Sequence, residues 1–153
     1  MRKRIKSDYE CYFDGCCEPV NPYGNCGIGA IIFDPQDNVI FEHSSFIPAC
    51  KENSNNVAEH LALTKILEYF TDNNISNKKI KISGDSKLVV MQMVGYWGIN
   101  EGLYKKHALY NKQLYDKLVK SNKVYIKWIP RENNVIADDL SKQHIKTINS
   151  WQL

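Results

Sequence analysis

The chain has 153 residues, 43% hydrophobic and 11% aromatic, enough for one proper core, and no composition shift or linker divides it, so a single domain spanning 1–153 is expected. Its 20 Lys and Arg against 17 Asp and Glu leave +3, too even a balance to establish a nucleic-acid partner. Five cysteines, Cys11, Cys16, Cys17, Cys26 and Cys50, are an odd number without CxxC spacing, which argues against a disulfide framework or a structural zinc site and for reduced thiols in a cytoplasmic protein.

In chain order, Arg2, Lys3, Arg4 and Lys6 look like the start of a signal peptide but run into DYECYFDG with no apolar stretch, and nothing approaches a membrane span. A soluble monomer without a membrane partner is expected. Residues 9–17 are aromatic-rich, EPVNPYGN is a dense turn cluster, CGIGAIIFD is an apolar run, DPQDN is a second turn, and 39–47 is a third run. The short turns predict an antiparallel meander. From Ser54 the period changes: Ala58, Leu61, Ala62, Ile66 and Tyr69 recur at helical spacing to about Phe70. A strand over 79–83, a helix over 86–94 broken near Gly95 and Gly98, a helix over 101–120, a strand over 124–129 and a last helix from Asn133 or Asn134 follow. Three antiparallel strands and then strand–helix units make an α/β fold, a mixed sheet with helices packed on its faces.

Four acids stand in distinctive settings: Asp14 in YFDG, Glu59 in SNNVAEHLAL, Asp85 in ISGDSKLVV and Asp138 in WIPRENNVIADDLS. Each alone has a plain structural account. Asp14 could form a turn before Gly15, Asp85 could cap a helix, and Glu59 could be a boundary residue reaching water. Carboxylates gathered from separate elements, however, repel and cost several kcal/mol to desolvate, so a fold keeps them together where a divalent cation neutralises them. That chemistry suggests Mg²⁺-dependent phosphodiester cleavage. Periodicity leaves Asp138 and Asp139 equal, because Val135 and Ile145 flank one face while Ile136 and Leu140 flank the other.

FDG before a GIGAII strand, SNN ahead of AEHLAL, GDS after a short strand and PRENNVIADDLS near the end occur in an order and spacing that resemble the type 1 ribonuclease H family over nearly the whole chain. The resemblance implies a ribonuclease H-like fold with a five-stranded mixed sheet and helices on both faces. It implies an endonuclease that hydrolyses the RNA strand of RNA/DNA hybrids, leaving 5′-phosphate and 3′-hydroxyl ends. Two Mg²⁺ ions about 4 Å apart would be the cofactor, with Mn²⁺ able to substitute. Asp14, Glu59, Asp85 and Asp138 would be the catalytic metal ligands, since in the family string the acid directly follows the Ala.

The same resemblance makes Asn21, Asn55 and Asn56 substrate-binding amides, able to donate to and accept from a 2′-hydroxyl, and Ser54 a phosphate-binding hydroxyl. Trp97 falls where the family sets an aromatic against the DNA strand, although core packing accounts for it equally well. Seven lysines against Asp116 alone lie between Tyr104 and Lys127; of these Lys105 and Lys106 are the best substrate contacts. The chain departs from the family where some members carry a loop histidine, a place held here by Arg131 or Glu132, and Lys87 follows GDS where some relatives have glutamine. The other readings are a different metal-dependent nuclease and a non-catalytic nucleic-acid-binding module on the same fold. A binding surface gains nothing from clustered negative charge, which disfavours the latter.

Overall fold

Apolar and aromatic runs, punctuated by turn residues, build the first three strands: β1 (Tyr9–Glu18), β2 (Asn25–Phe33) and β3 (Val39–Ile47). The computed structural model describes residues 7–151, so the basic start, Arg2 to Lys6, lies outside the described residues. The turn between β2 and β3 is fixed locally, with the Asp34 carboxylate accepting from the Gln36 and Asn38 N–H groups at 2.9 Å each. Both antiparallel ladders expected of a meander form, and they set Asp14 opposite Gly29.

Ser54 ends the extended chain and caps α1 (Asn55–Asp72), its hydroxyl accepting from the Val57 N–H at 3.1 Å. Then come β4 (Lys79–Gly84), α2 (Lys87–Val94), α3 (Lys105–Leu118), β5 (Lys123–Trp128), a 3₁₀ turn over Arg131–Asn133 and α4 (Val135–Trp151). The five-stranded sheet runs β3-β2-β1-β4-β5, antiparallel through β1 and parallel across β1, β4 and β5.

Helices cover both faces. Helix α1 packs on β1 and β2 with α2 and α3 beside it, while α4 packs across β1, β2 and β3. Phe13, Ile28, Ala30 and Ile32 from the sheet meet Leu63, Ile66, Leu67 and Phe70 of α1, and Ile80, Ile82, Val89 and Met93 close the core. Each of the larger side chains contributes about 1.5–3 kcal/mol on burial.

The helix expected over 101–120 is shorter at both ends. Gly95, at φ +88°, terminates α2 in the left-handed conformation, and residues 95–104 stay irregular. A buried polar network holds that segment in place. His60 Nε2 meets Gln92 Oε1 at 3.0 Å, the Gln92 amide donates to the Gly98 carbonyl at 3.2 Å, and Asn111 donates to the His60 carbonyl at 2.8 Å. These bonds fasten α1, α2 and α3 together.

Candidate active site

Parallel pairing of β1 with β4 sets Phe13 opposite Gly84, which brings the next residues, Asp14 and Asp85, side by side. Two glycines then admit the helices. A Cβ on Gly15 would lie 2.3 Å from the Ala58 carbonyl carbon and 2.4 Å from the Glu59 nitrogen, so the bare glycine lets the first turn of α1 rest on β1. On the other face a Cβ on Gly29 would lie 2.4 Å from the Ala137 oxygen and 2.5 Å from the Ser141 nitrogen, so α4 rests on β2 directly opposite Asp14. Glu59 and Asp138 are thereby carried to Asp14 from two different helices.

One oxygen each of Asp14, Glu59 and Asp85 lies within 4.8 Å of the others. Asp138 stands outside that triad but hydrogen-bonds Asp14, and its Oδ1 is 3.3 Å from Lys142 Nζ and 3.9 Å from an Arg131 guanidinium nitrogen. Asp139, one residue on, is exposed. Hard carboxylate oxygens converging in this way suit Mg²⁺ or Mn²⁺.

The electrostatics express the crowding. Burial, the neighbouring Asp85, the hydrogen bond with Asp138 and the charge of Glu59 push the Asp14 carboxyl up to about 9. Glu59 is pushed up to about 7 by burial, with Asp85 adding and a hydrogen bond from Ser86 opposing. Asp85 is raised, chiefly by burial. Burial acts on Asp138 too, but the hydrogen bond with Asp14 and the cations Lys142 and Arg131 outweigh it and leave the group below its ordinary value. Burial and mutual repulsion therefore disfavour the charged forms of Asp14, Glu59 and Asp85 where no cation offsets them.

These acids line a groove of about 450 Å³ together with Asn55, Trp128, Arg131 and Lys142. A larger hollow of about 570 Å³ lies beside Tyr12, Phe33, Val135 and Ile136, but its acids Glu10, Asp34 and Asp37 are not among those that converge within 4.8 Å. Glu10 is 3.8 Å from Lys81, and Asp34 closes its own turn.

Of the other expected contacts, only Asn55 and Arg131 reach the groove wall; Asn21, Ser54, Asn56, Trp97, Lys105 and Lys106 lie outside it. Asn21 Oδ1 accepts from the Asn55 N–H at 2.9 Å, which fastens the NPYG turn to the start of α1. Trp97 is 44% exposed, so it is not a core residue. Lys105 is ion-paired with Glu101, whereas Lys106 is exposed.

The groove also holds residues the reading of the sequence did not place there, among them Glu18, Cys16 and Cys17 of β1, Trp128 and Lys142. Trp128 ends β5 in register with Gly84 and donates from Nε1 to the Asp85 carbonyl at 3.1 Å. Lys142 follows Asp138 by four residues, a helical spacing that could have flagged it.

The family described as reverse transcriptase-like matches residues 12–144. The chain is 29% identical over 132 residues to the curated ribonuclease HI of Halobacterium salinarum, covering 86% of this chain and 61% of that protein, so it spans about three-fifths of that relative's length. The crystal structure of ribonuclease H1 from the same archaeon superposes with a TM-score of 0.75 at 25% identity, covering 91% of this chain and 98% of that one. LC11-RNase H1, isolated from compost, superposes at 0.78 with 30% identity, covering 93% and 98%. The same compost enzyme in complex with an RNA/DNA hybrid gives 0.76 at 30% identity, covering 88% and 94%.

Proposed function

The chain belongs to the reverse transcriptase-like family and within it to the type 1 ribonucleases H, and on that premise we propose that it hydrolyses the RNA strand of RNA/DNA hybrids as an endonuclease with two Mg²⁺ ions, leaving 5′-phosphate and 3′-hydroxyl ends. The observation that carries this reading is the convergence of Asp14, Glu59 and Asp85 within 4.8 Å, in a groove that also holds cationic side chains. Divalent cations bound there would supply an activated water and shield the leaving oxygen.

The chain's own groups do the rest. Asp14, between Asp85 and Asp138, is placed to serve both halves of the cluster, and Ser86 orients Glu59 by a hydrogen bond. Arg131, 3.9 Å from Asp138 but with 71% of its side chain exposed, can meet a phosphate at the groove mouth. Asn55 presents an amide at the lip, suited to a 2′-hydroxyl. The Trp128 indole backs Asp85 through the backbone and offers an exposed ring beside it.

Incubating the protein with labelled hybrid, double-stranded RNA and double-stranded DNA, with Mg²⁺ or with chelator, tests the reading. Cleavage is expected of the hybrid's RNA strand alone and only with the metal; cutting of double-stranded DNA, or cutting that persists in chelator, would overturn it. Fragment ends are read by their acceptance by ligase.

The neighbouring acids separate cleanly. Asp138→Asn is expected to lose most activity at low Mg²⁺ and to weaken Mg²⁺ binding measured by calorimetry, while Asp139→Asn, exposed and off the groove, changes either by less than about twofold. The reverse order would mean that the first turn of α4 presents the other acid.

A further inference from the structure

Helix α4 packs across β1, β2 and β3, and among the described residues no helix packs comparably against the same face of β4 and β5. Residues on that face follow the strand period. Ile80, Ile82 and Ile126 turn into the core, and the alternate positions carry Lys79 and Lys81 on β4 and Lys123, Tyr125 and Lys127 on β5.

Parallel pairing aligns Lys79 with Lys123 and Lys81 with Tyr125, so two lysines occupy paired positions on neighbouring strands. Such like-charge pairs are unfavourable in a sheet. The acids facing this set are Glu10, 3.8 Å from Lys81, and Asp8, whose carboxylate accepts from the Lys79 N–H at 2.8 Å. Tyr125 is 50% exposed, with the Lys79 ammonium 5.5 Å from its ring centre.

At the foot of the strands Lys78 and Lys120 join Lys79 and Lys123 around a hollow of about 560 Å³. At the head, the alternation that carries Lys79 and Lys81 on β4 leads through Ser83 to Asp85 in the active-site groove. The basic stripe thus points toward that groove and extends about 13 Å along β5 from Lys127 to Lys123.

Lysines often guard an edge strand against pairing with another chain. That accounts for β5 but not for Lys79 and Lys81, which sit on the interior strand β4.

We propose that this uncovered face binds a single-stranded nucleic-acid segment that continues from the duplex in the groove, with the lysines taking phosphates and Tyr125 stacking a base. A flat sheet with interleaved lysine and an exposed aromatic matches a strand whose bases are unpaired; a duplex keeps its base faces stacked and offers Tyr125 nothing. The proposal rests on the groove holding a hybrid, but the two can fail separately. Cleavage of a blunt hybrid reports on the groove, and the added affinity of an overhang reports on the stripe.

The experiment uses Asp85→Asn protein, titrated at several salt concentrations with a blunt hybrid and with hybrids bearing an oligothymidylate overhang on either end in either polarity. One overhang is expected to tighten binding. Lys79→Ala with Lys123→Ala should remove that gain and lower the slope of log affinity against log salt by about 1.4, at ~0.7 per single-strand phosphate contact. Tyr125→Ala should weaken the overhang substrate at least about fivefold, while Tyr125→Phe retains its affinity. Binding of the blunt hybrid should stay unchanged throughout. No gain from an overhang at either end, or a gain that survives these substitutions, would overturn the proposal. Equal competition by polyglutamate would do the same, since the face would then be a general anion surface.

Discussion

Replacing Asp14 with Asn is expected to lower hydrolysis at saturating substrate at least about a thousandfold, at ~1.4 kcal/mol per factor of ten, while raising the melting temperature of the metal-free protein. Both effects have one cause. Asp14 is 6% exposed and borders three other acids, so its charged form is disfavoured in the folded state, and its carboxyl is pushed up to about 9. An acid raised on folding contributes its full stability below the unfolded value, near 4, and loses it as pH rises toward the folded value.

For Asp14 that window runs from about 4 to about 9, and for Glu59 it ends at about 7. The uncharged amide of Asn removes the Asp14 part of the penalty. Calorimetric melts of metal-free wild type and variant should therefore converge near pH 4 and separate steadily toward pH 9, by about 2–4 °C for each kcal/mol relieved. Saturating Mg²⁺ should close the gap from the wild-type side, because a cation that binds the folded cluster offsets the same repulsion. A variant that melts below wild type at every pH, or one that keeps near-normal turnover, would sink the catalytic role of Asp14.

Much of the fold was legible because strands and helices here carry strong periodic signals. The five strands appear within about one residue of their expected bounds, and Ser54 caps α1 where the change of period placed a start. What periodicity could not settle was which acid of the last helix enters the site. Val135 and Ile136, which gave the ambiguous apolar stripe, are 55% and 50% exposed, while the residues that seat α4 include Ala137 and Ser141 against glycines. The seam is built from small residues rather than large apolar ones, so a hydrophobicity pattern passes over it.

The anchor of α3 was hidden for a related reason. Its anchoring side chain, Asn111, is polar yet fully buried, bonded to His60 and Thr64, and a buried amide is indistinguishable in sequence from a solvated one. The lysines show the converse limit. Sequence singled out Lys105 by its nearness to Trp97, but its Glu101 partner and the stripe on β4 and β5 depend on which residues three-dimensional pairing sets face to face.

Gly15→Ala is expected to be among the most damaging single-methyl changes the chain can suffer. The added carbon would sit 2.3 Å from the Ala58 carbonyl carbon and 2.4 Å from the Glu59 nitrogen, and both obstacles are helix backbone rather than side-chain ends that could swing aside. Helix α1 must lift off β1 or β1 must bend. Either movement costs roughly 1–3 kcal/mol or more by the measure of overpacked cores, and either separates Glu59 from Asp14. Turnover should therefore fall further than stability accounts for. Hydrogen-exchange protection in the first turn of α1 should drop, and Mg²⁺ binding measured by calorimetry should weaken even at temperatures where the variant is fully folded. Gly98→Ala supplies the control, because its Cβ would meet only the Asn100 side chain at 4.0 Å, so stability should change by no more than about 0.5 kcal/mol and activity should persist. Were Gly15→Ala to match Gly98→Ala in melting temperature and metal affinity, the close approach of α1 to β1 would not be what sets Glu59 beside Asp14, and the placement of the cluster would need another cause.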